Sequence, residues 1–126
     1  MTKVLVADDA LAMRELVKDG LAEFGFEFLV AENGQEALEK GSKNDIKLII
    51  SDLEMPYMNG DELIRRLLEV RPGIPAILMS GDAQKLFEAK MTLPRTVITL
   101  RKPFSIQELR LKVQRQRVPE IRAPSR

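Results

Sequence analysis

The stretch IKLIISDLEMPYMNG, Ile46 to Gly60, limits what this chain can fold into more than any other. Leu48-Ile49-Ile50 is apolar with no polar alternation, the pattern of a strand buried on both faces, as in a parallel sheet. The run ends on Ser51-Asp52, an acid at the carboxyl end of the strand. Open α/β sheets gather ligands and reacting groups at that edge. Pro56, Asn59 and Gly60 then punctuate a loop, and a helical pattern begins at Asp61. An acid held at a strand tip by such a loop is either a displaced helix cap or part of a site.

Four further strands flank it. Lys3 to Ala7 reads as a short buried strand with Asp8-Asp9 at its carboxyl end, and Glu27 to Ala31 as a second. Ala76 to Met79 is an apolar strand ended by Ser80-Gly81, and Thr96 to Leu100 is β-branched and closed by Arg101-Lys102-Pro103. Between them run helical patterns. Met13, Leu16, Val17, Leu21 and Phe24 predict an amphipathic helix stopping near Gly25. Asn33, followed three residues later by Glu36, opens a second, with Ala37, Leu38 and Gly41 inward. Leu63, Ile64, Leu67 and Leu68 define a third, ending before Arg71-Pro72-Gly73; Ala83, Leu86 and Phe87 suggest a fourth. Ser105-Ile106-Gln107-Glu108 is a capping box for a fifth, with Ile106, Leu109 and Val113 facing in. Strands and helices in alternation make a doubly wound α/β sheet with helices on both faces.

Composition narrows the chemistry. The 126 residues suit one domain with a real core. There is no cysteine and no histidine, which removes disulfides, thiolate sites, His-rich metal sites and Ser-His-Asp catalysis. That usage fits a reducing cytoplasm, and no apolar run approaches a membrane span. Residues 1–100 carry 12 basic against 17 acidic side chains, and residues 101–126 carry 8 against 2. The basic end includes Arg110, Lys112, Arg115, Arg117, Arg122 and Arg126. A solvated helix face followed by a tail accounts for it better than a nucleic-acid surface.

Asp8-Asp9, Asp52, Ser80 and Lys102 all fall at strand tips on one edge of this sheet. Taken singly, Asp8 or Asp9 reads as a helix cap, Ser80 as a turn residue and Lys102 as a solvated charge. Together, at four strand tips, they read as a site. Each close carboxylate pair costs about 4 kcal/mol at ~4 Å and an effective dielectric near 20. Such a cluster needs a cation or protonated acids. Lys102 supplies one charge, and an all-oxygen metal site selects magnesium, manganese or calcium. Magnesium leaves coordination places for phosphate oxygens. Asp52 is then a candidate nucleophile toward phosphorus, with Lys102 and Ser80 placed to hold phosphoryl oxygens.

The combination Asp8-Asp9, Asp52-Leu53-Glu54-Met55-Pro56 with Met58-Asn59-Gly60, Ser80-Gly81 and Lys102-Pro103-Phe104 resembles the response-regulator receiver domain of two-component signalling, from Lys3 to about Arg117. The resemblance implies a CheY-like, flavodoxin-like fold with strand order 2-1-3-4-5, an order given for this group in general. It implies a phosphoaspartate switch in which a histidine kinase or histidine phosphotransfer protein presents phosphohistidine to Asp52. It also implies Mg²⁺, with Mn²⁺ as a substitute, bound by Asp9, Asp52 and the Glu54 backbone carbonyl, with Asp8 acting through metal-bound water. Lys102 would pair with the phosphoryl group, the Ser80 hydroxyl would bond it after transfer, and Gly81 would leave room beside it. Gly60 belongs to the loop signature, and Pro103 follows a peptide bond expected to be cis. Where most members carry Tyr or Phe, this chain has Thr99, so the readout is expected to involve Gly81 to Lys85 more than the fifth strand.

Rival readings are a Mg-dependent phosphatase with an aspartate nucleophile, a dinucleotide-binding domain, and a receiver-like module that binds a partner without phosphorylation. The first usually wants a second Asp where Glu54 stands, and the second wants a glycine-rich turn where Asp8-Asp9-Ala10 stands. The expectation is a cytoplasmic signalling switch with an unidentified protein target, not a multiple-turnover enzyme. It consists of a receiver domain over residues 1–117 and a basic, Pro-containing tail over 118–126, disordered or a linker stub.

Overall fold

A computed structural model describes residues 1–116 and Val118. Five strands, β1 (Lys3–Ala7), β2 (Glu27–Ala31), β3 (Ile46–Asp52), β4 (Ala76–Ser80) and β5 (Val97–Arg101), form one parallel sheet in the order β2-β1-β3-β4-β5. The helices are α1 (Leu11–Gly20), α2 (Gly34–Lys43), α3 (Gly60–Val70), α4 (Ala83–Met91) and α5 (Ile106–Gln114). This is the doubly wound, flavodoxin-like architecture expected from the sequence.

The unbroken apolar strands follow from cover on both faces. Leu5, Ala7, Ile49 and Leu78 pack with Leu63, Ile64 and Leu67 of α3 and Leu86 of α4. Val4, Val6, Leu48, Ile50 and Ile77 point the other way, onto Val17, Leu21, Phe24, Leu109 and Val113. Burying each such side chain contributes about 1.5–3 kcal/mol, so a one-residue slip of β3 would disrupt both layers. The capping box of α5 forms as the spacing requires. Ser105 Oγ accepts the Glu108 N–H at 3.0 Å, and Glu108 Oε1 accepts the Ser105 N–H at 3.1 Å. Asn33 caps α2, its Oδ1 accepting the Glu36 N–H at 2.8 Å.

Some details differ from the pattern reading. α1 ends at Gly20, and Ala22–Phe24 is a separate 3₁₀ turn stopped by Gly25 at φ 77°. Leu16 lies on the exposed side of α1. In α4, Leu86 is inward as expected, but Ala83 and Phe87 are exposed and Ala89 is the second buried residue. A nine-residue helix with two inward positions gives too short a repeat for the apolar face to be read from spacing. β5 begins at Val97 and takes in Arg101, one residue later at each end than expected. The tail over 118–126 lies outside the described residues apart from Val118, which is buried in the α1–α5 layer.

Candidate functional site

β1, β3, β4 and β5 deliver their chemistry to the same edge of the sheet. Asp8 follows β1, and its N–H donates to the Ala31 carbonyl at 3.0 Å, which extends the strand pairing by one residue. Its side chain is fully buried while Asp9 is exposed. Asp52 closes β3 and is 7% exposed; Ser80 closes β4 and is 1% exposed. Lys102 lies just beyond β5, its N–H donating to the Ser80 carbonyl at 2.9 Å. The Lys102–Pro103 peptide bond is cis.

The loop after Asp52 is anchored by its own backbone. Leu53 N–H donates to the Met79 carbonyl at 2.7 Å, and Gly60 N–H donates to the Leu53 carbonyl at 2.8 Å. A Cβ at Gly60 would stand 2.1 Å from the Asp52 carbonyl oxygen, so the first residue of α3 can approach β3 only without a side chain. Gly34 was not singled out from the sequence, yet a Cβ there would meet the Met58 carbonyl at 2.2 Å. The start of α2 is therefore pressed against this loop.

The carboxylates of Asp8, Asp9 and Asp52 each offer an oxygen, and these oxygens lie within 4.8 Å of one another. Lys102 Nζ donates to Asp8 Oδ2 at 2.9 Å and to Asp52 Oδ1 at 3.2 Å. Neither first-strand acid caps α1. The cap residue is Ala10, and Asp8 Oδ1 accepts the Ala10 N–H at 2.9 Å. Burial, and then the neighbouring Asp8 charge, push the Asp52 carboxyl above its ordinary value, with a smaller push from Asp9; Lys102 offsets only part of this. Burial pulls the Lys102 ammonium down, but its bonds to Asp8 and Asp52 and their charges outweigh that and leave it raised. The cluster is short of positive charge. Its all-oxygen donor set fits a hard divalent cation of the magnesium class.

Ser80 Oγ accepts the Asp82 N–H at 3.0 Å and lies 3.5 Å from Glu54 Oε1. The Glu54 side chain turns outward, where Oε2 meets Lys85 Nζ at 2.8 Å. Gly81 is exposed, and a Cβ there would meet nothing nearer than the Lys102 carbonyl at 4.0 Å. Thr99 lies half-buried on β5, outside this cluster, and its carbonyl accepts Lys112 Nζ at 2.6 Å. Three contributors escaped sequence reasoning. Asp82 caps α4 through the Lys85 N–H at 3.0 Å, Lys85 reaches Glu54, and Arg14 Nη1 holds the Asp8 carbonyl at 2.7 Å. Asp82 was legible as an Asp before a helical run; nothing in the spacing pairs Lys85 with Glu54.

Residues 4–114 match the family model of the response regulator receiver domain. The chain belongs to this family. It is similar to the chemotaxis protein CheY1 of Helicobacter pylori, 35% identical over 119 residues that cover 89% of this chain and 94% of CheY1. It is 34% identical over 106 residues to the autoinducer 1 sensor kinase/phosphatase LuxN of Vibrio campbellii. That match covers 78% of this chain, which spans only 12% of LuxN. A structure of the response regulator TrrA from Thermotoga maritima in complex with Mg(2+)-BeF superposes with a TM-score of 0.80 at 32% identity, covering 90% of this chain and 97% of that one. The fold is thus that of CheY-like receivers of two-component systems. Among the described residues no helix is long and apolar enough to cross a membrane.

Proposed function

We propose that this receiver domain accepts a phosphoryl group on Asp52 from the phosphohistidine of a histidine kinase or histidine phosphotransfer protein. The observation that carries this reading is the buried Asp52 carboxylate with two further acids and Lys102 around it. Three negative charges beside one lysine make a poor structural ion pair but a suitable place for a cation and a phosphoryl group.

Asp9, Asp52 and the Glu54 backbone carbonyl would hold Mg²⁺ directly, or Mn²⁺ in its place, and Asp8 would act through metal-bound water. When bound, the ion neutralises the cluster and spreads the charge of the transferring phosphoryl oxygens. An Asp52 oxygen forms the new P–O bond as the P–N bond of the donor breaks, and the departing imidazole keeps the electron pair of that bond. Lys102, already bonded to Asp52, is placed to take a phosphoryl oxygen. Ser80 donates its hydroxyl to another. Gly81, with open space where a side chain would begin, leaves that side of the group unobstructed.

The domain then works as a two-state switch for a protein target, not as a multiple-turnover enzyme. A domain boundary near residue 117 is part of the same reading, with Val118 still packed on the domain and the basic tail following it. Beryllofluoride, a phosphoryl mimic, tests the site. It should bind the wild-type chain in Mg²⁺, and binding should be lost in chelator and in Asp52→Asn. Equal binding with and without the metal would sink the assignment.

A further inference from the structure

The junction between β4 and α4 is joined to the loop after Asp52 by a closed circuit of four residues. Lys85 Nζ donates to Glu54 Oε2 at 2.8 Å, and Glu54 Oε1 lies 3.5 Å from Ser80 Oγ. Ser80 Oγ accepts the Asp82 N–H at 3.0 Å, and Asp82 Oδ1 accepts the Lys85 N–H at 3.0 Å, closing the ring. Beneath it a groove of about 640 Å³, lined in part by Leu53, Met55, Asn59 and Ala89, separates α4 from the loop and α3. On this side α4 buries just Leu86 and Ala89, in one cluster with Leu53 and Met55, so the polar ties add to a thin apolar contact. Its other end is fastened separately. Lys90 Nζ bonds the Arg95 and Val97 carbonyls, and Arg65 Nη1 donates to Thr92 Oγ1 at 3.1 Å.

We propose that Glu54 and Lys85 form a latch that holds the first turn of α4 in its unphosphorylated position, and that a phosphoryl group on Asp52 opens the latch. The inference rests on the phosphoacceptor reading above. Ser80 has one hydroxyl hydrogen, and in this structure Glu54 is the acceptor that it faces. A phosphoryl oxygen needs that same hydrogen. The negative phosphoryl group also repels the Glu54 carboxylate, which belongs to a residue only two positions away. When Glu54 gives way, Lys85 loses its side-chain partner and the circuit is broken. The first turn of α4 is then free to pivot on the end held by Lys90 and Thr92. The Lys85–Glu54 pair is half-exposed on both sides, and such pairs are weak. A latch of that strength can be opened and reset by one charged group. It also gives a route out of the site that does not pass through Thr99, whose strand edge is already held by Lys112.

The test uses the full chain, Mg²⁺ and beryllofluoride, with Lys85→Met, Glu54→Gln and the double variant. Lys85→Met should tighten beryllofluoride binding by roughly two- to fivefold, the range expected for an exposed ion pair. The double variant should gain less than the product of the single effects, because both changes open one latch. In ligand-free Lys85→Met and Glu54→Gln, the amides of Gly81 to Gln84 should move along the line from the free to the bound wild-type positions. Unchanged affinity in both single variants, strictly multiplicative effects, or amide shifts off that line would overturn the proposal. Weaker binding in Lys85→Met would overturn it too, since Lys85 would then be holding the phosphoryl group itself. If the wild-type chain binds no beryllofluoride in Mg²⁺, the phosphoacceptor reading fails first and the latch with it.

Discussion

Gly60 and Gly81 stand beside the same site, and alanine at each should have opposite consequences. At Gly60 a Cβ would lie 2.1 Å from the Asp52 carbonyl oxygen and 2.9 Å from both Ser51 Oγ and a Leu78 methyl. The first contact is with backbone, so no side chain can turn away to relieve it. Either α3 moves outward or the end of β3 shifts, and the Gly60–Leu53 hydrogen bond is strained in both cases. Overpacking of this kind costs about 1–3 kcal/mol, and a clash this deep against backbone belongs at the upper end. At Gly81 the nearest atom to a Cβ is 4.0 Å away and the backbone is not left-handed, so alanine should change stability by less than about 0.5 kcal/mol. Urea denaturation of the two variants in chelator separates the cases. Gly60→Ala should also weaken beryllofluoride binding through displacement of Asp52, while in Gly81→Ala any loss would come from crowding of the bound group alone. A Gly60→Ala chain as stable as wild type, or a Gly81→Ala chain equally damaged, would refute this steric account of the loop.

Asp9→Asn should leave stability in chelator level or raised, because it removes a charge that opposes Asp52, while the stabilisation gained from Mg²⁺ shrinks; thermal melts with and without the metal measure both. Lys102→Met strips the buried Asp8 and Asp52 carboxylates of their cation and should cost roughly 3 kcal/mol in chelator, part of it recovered in Mg²⁺. The Asp52 carboxyl, raised above its ordinary 3.8, holds its proton more tightly in the folded chain. Stability in chelator should therefore fall as pH climbs from that ordinary value through the raised one, and the fall should shrink in Asp52→Asn when the two are melted side by side. The Lys102 contribution falls in the same direction but at higher pH, full below 10.5 and lost as pH rises through its raised value. On binding beryllofluoride, amide shifts over Gly81 to Lys85 should exceed those over Val97 to Leu100, since Thr99 offers no ring to bury; equal shifts would show that the missing aromatic does not matter.

Much of this was legible because the strands are covered on both sides. Continuous apolar runs such as Leu48-Ile49-Ile50 mark parallel strands, and the residue that ends each run must emerge on the shared edge. That logic located Asp8, Asp52, Ser80 and Lys102 without coordinates. It failed where packing is thin. α4 buries only Leu86 and Ala89, with Ala83 and Phe87 exposed, and its polar tie to the loop depends on Lys85 reaching a glutamate 31 residues earlier. Long-range polar contacts of this kind leave no period in the sequence. Gly34 was missed for a related reason: its neighbour across the gap is the Met58 carbonyl, supplied by a loop whose path only the fold defines.

The central claim is that Asp52 is the phosphoacceptor, and labelling tests it most directly. The wild-type chain, incubated with a small phosphoryl donor and Mg²⁺, should gain one phosphate that is labile to base, as an acyl phosphate is. Asp52→Asn should gain none, and chelator should abolish uptake in the wild type. Uptake by Asp52→Asn at the wild-type rate would contradict the account.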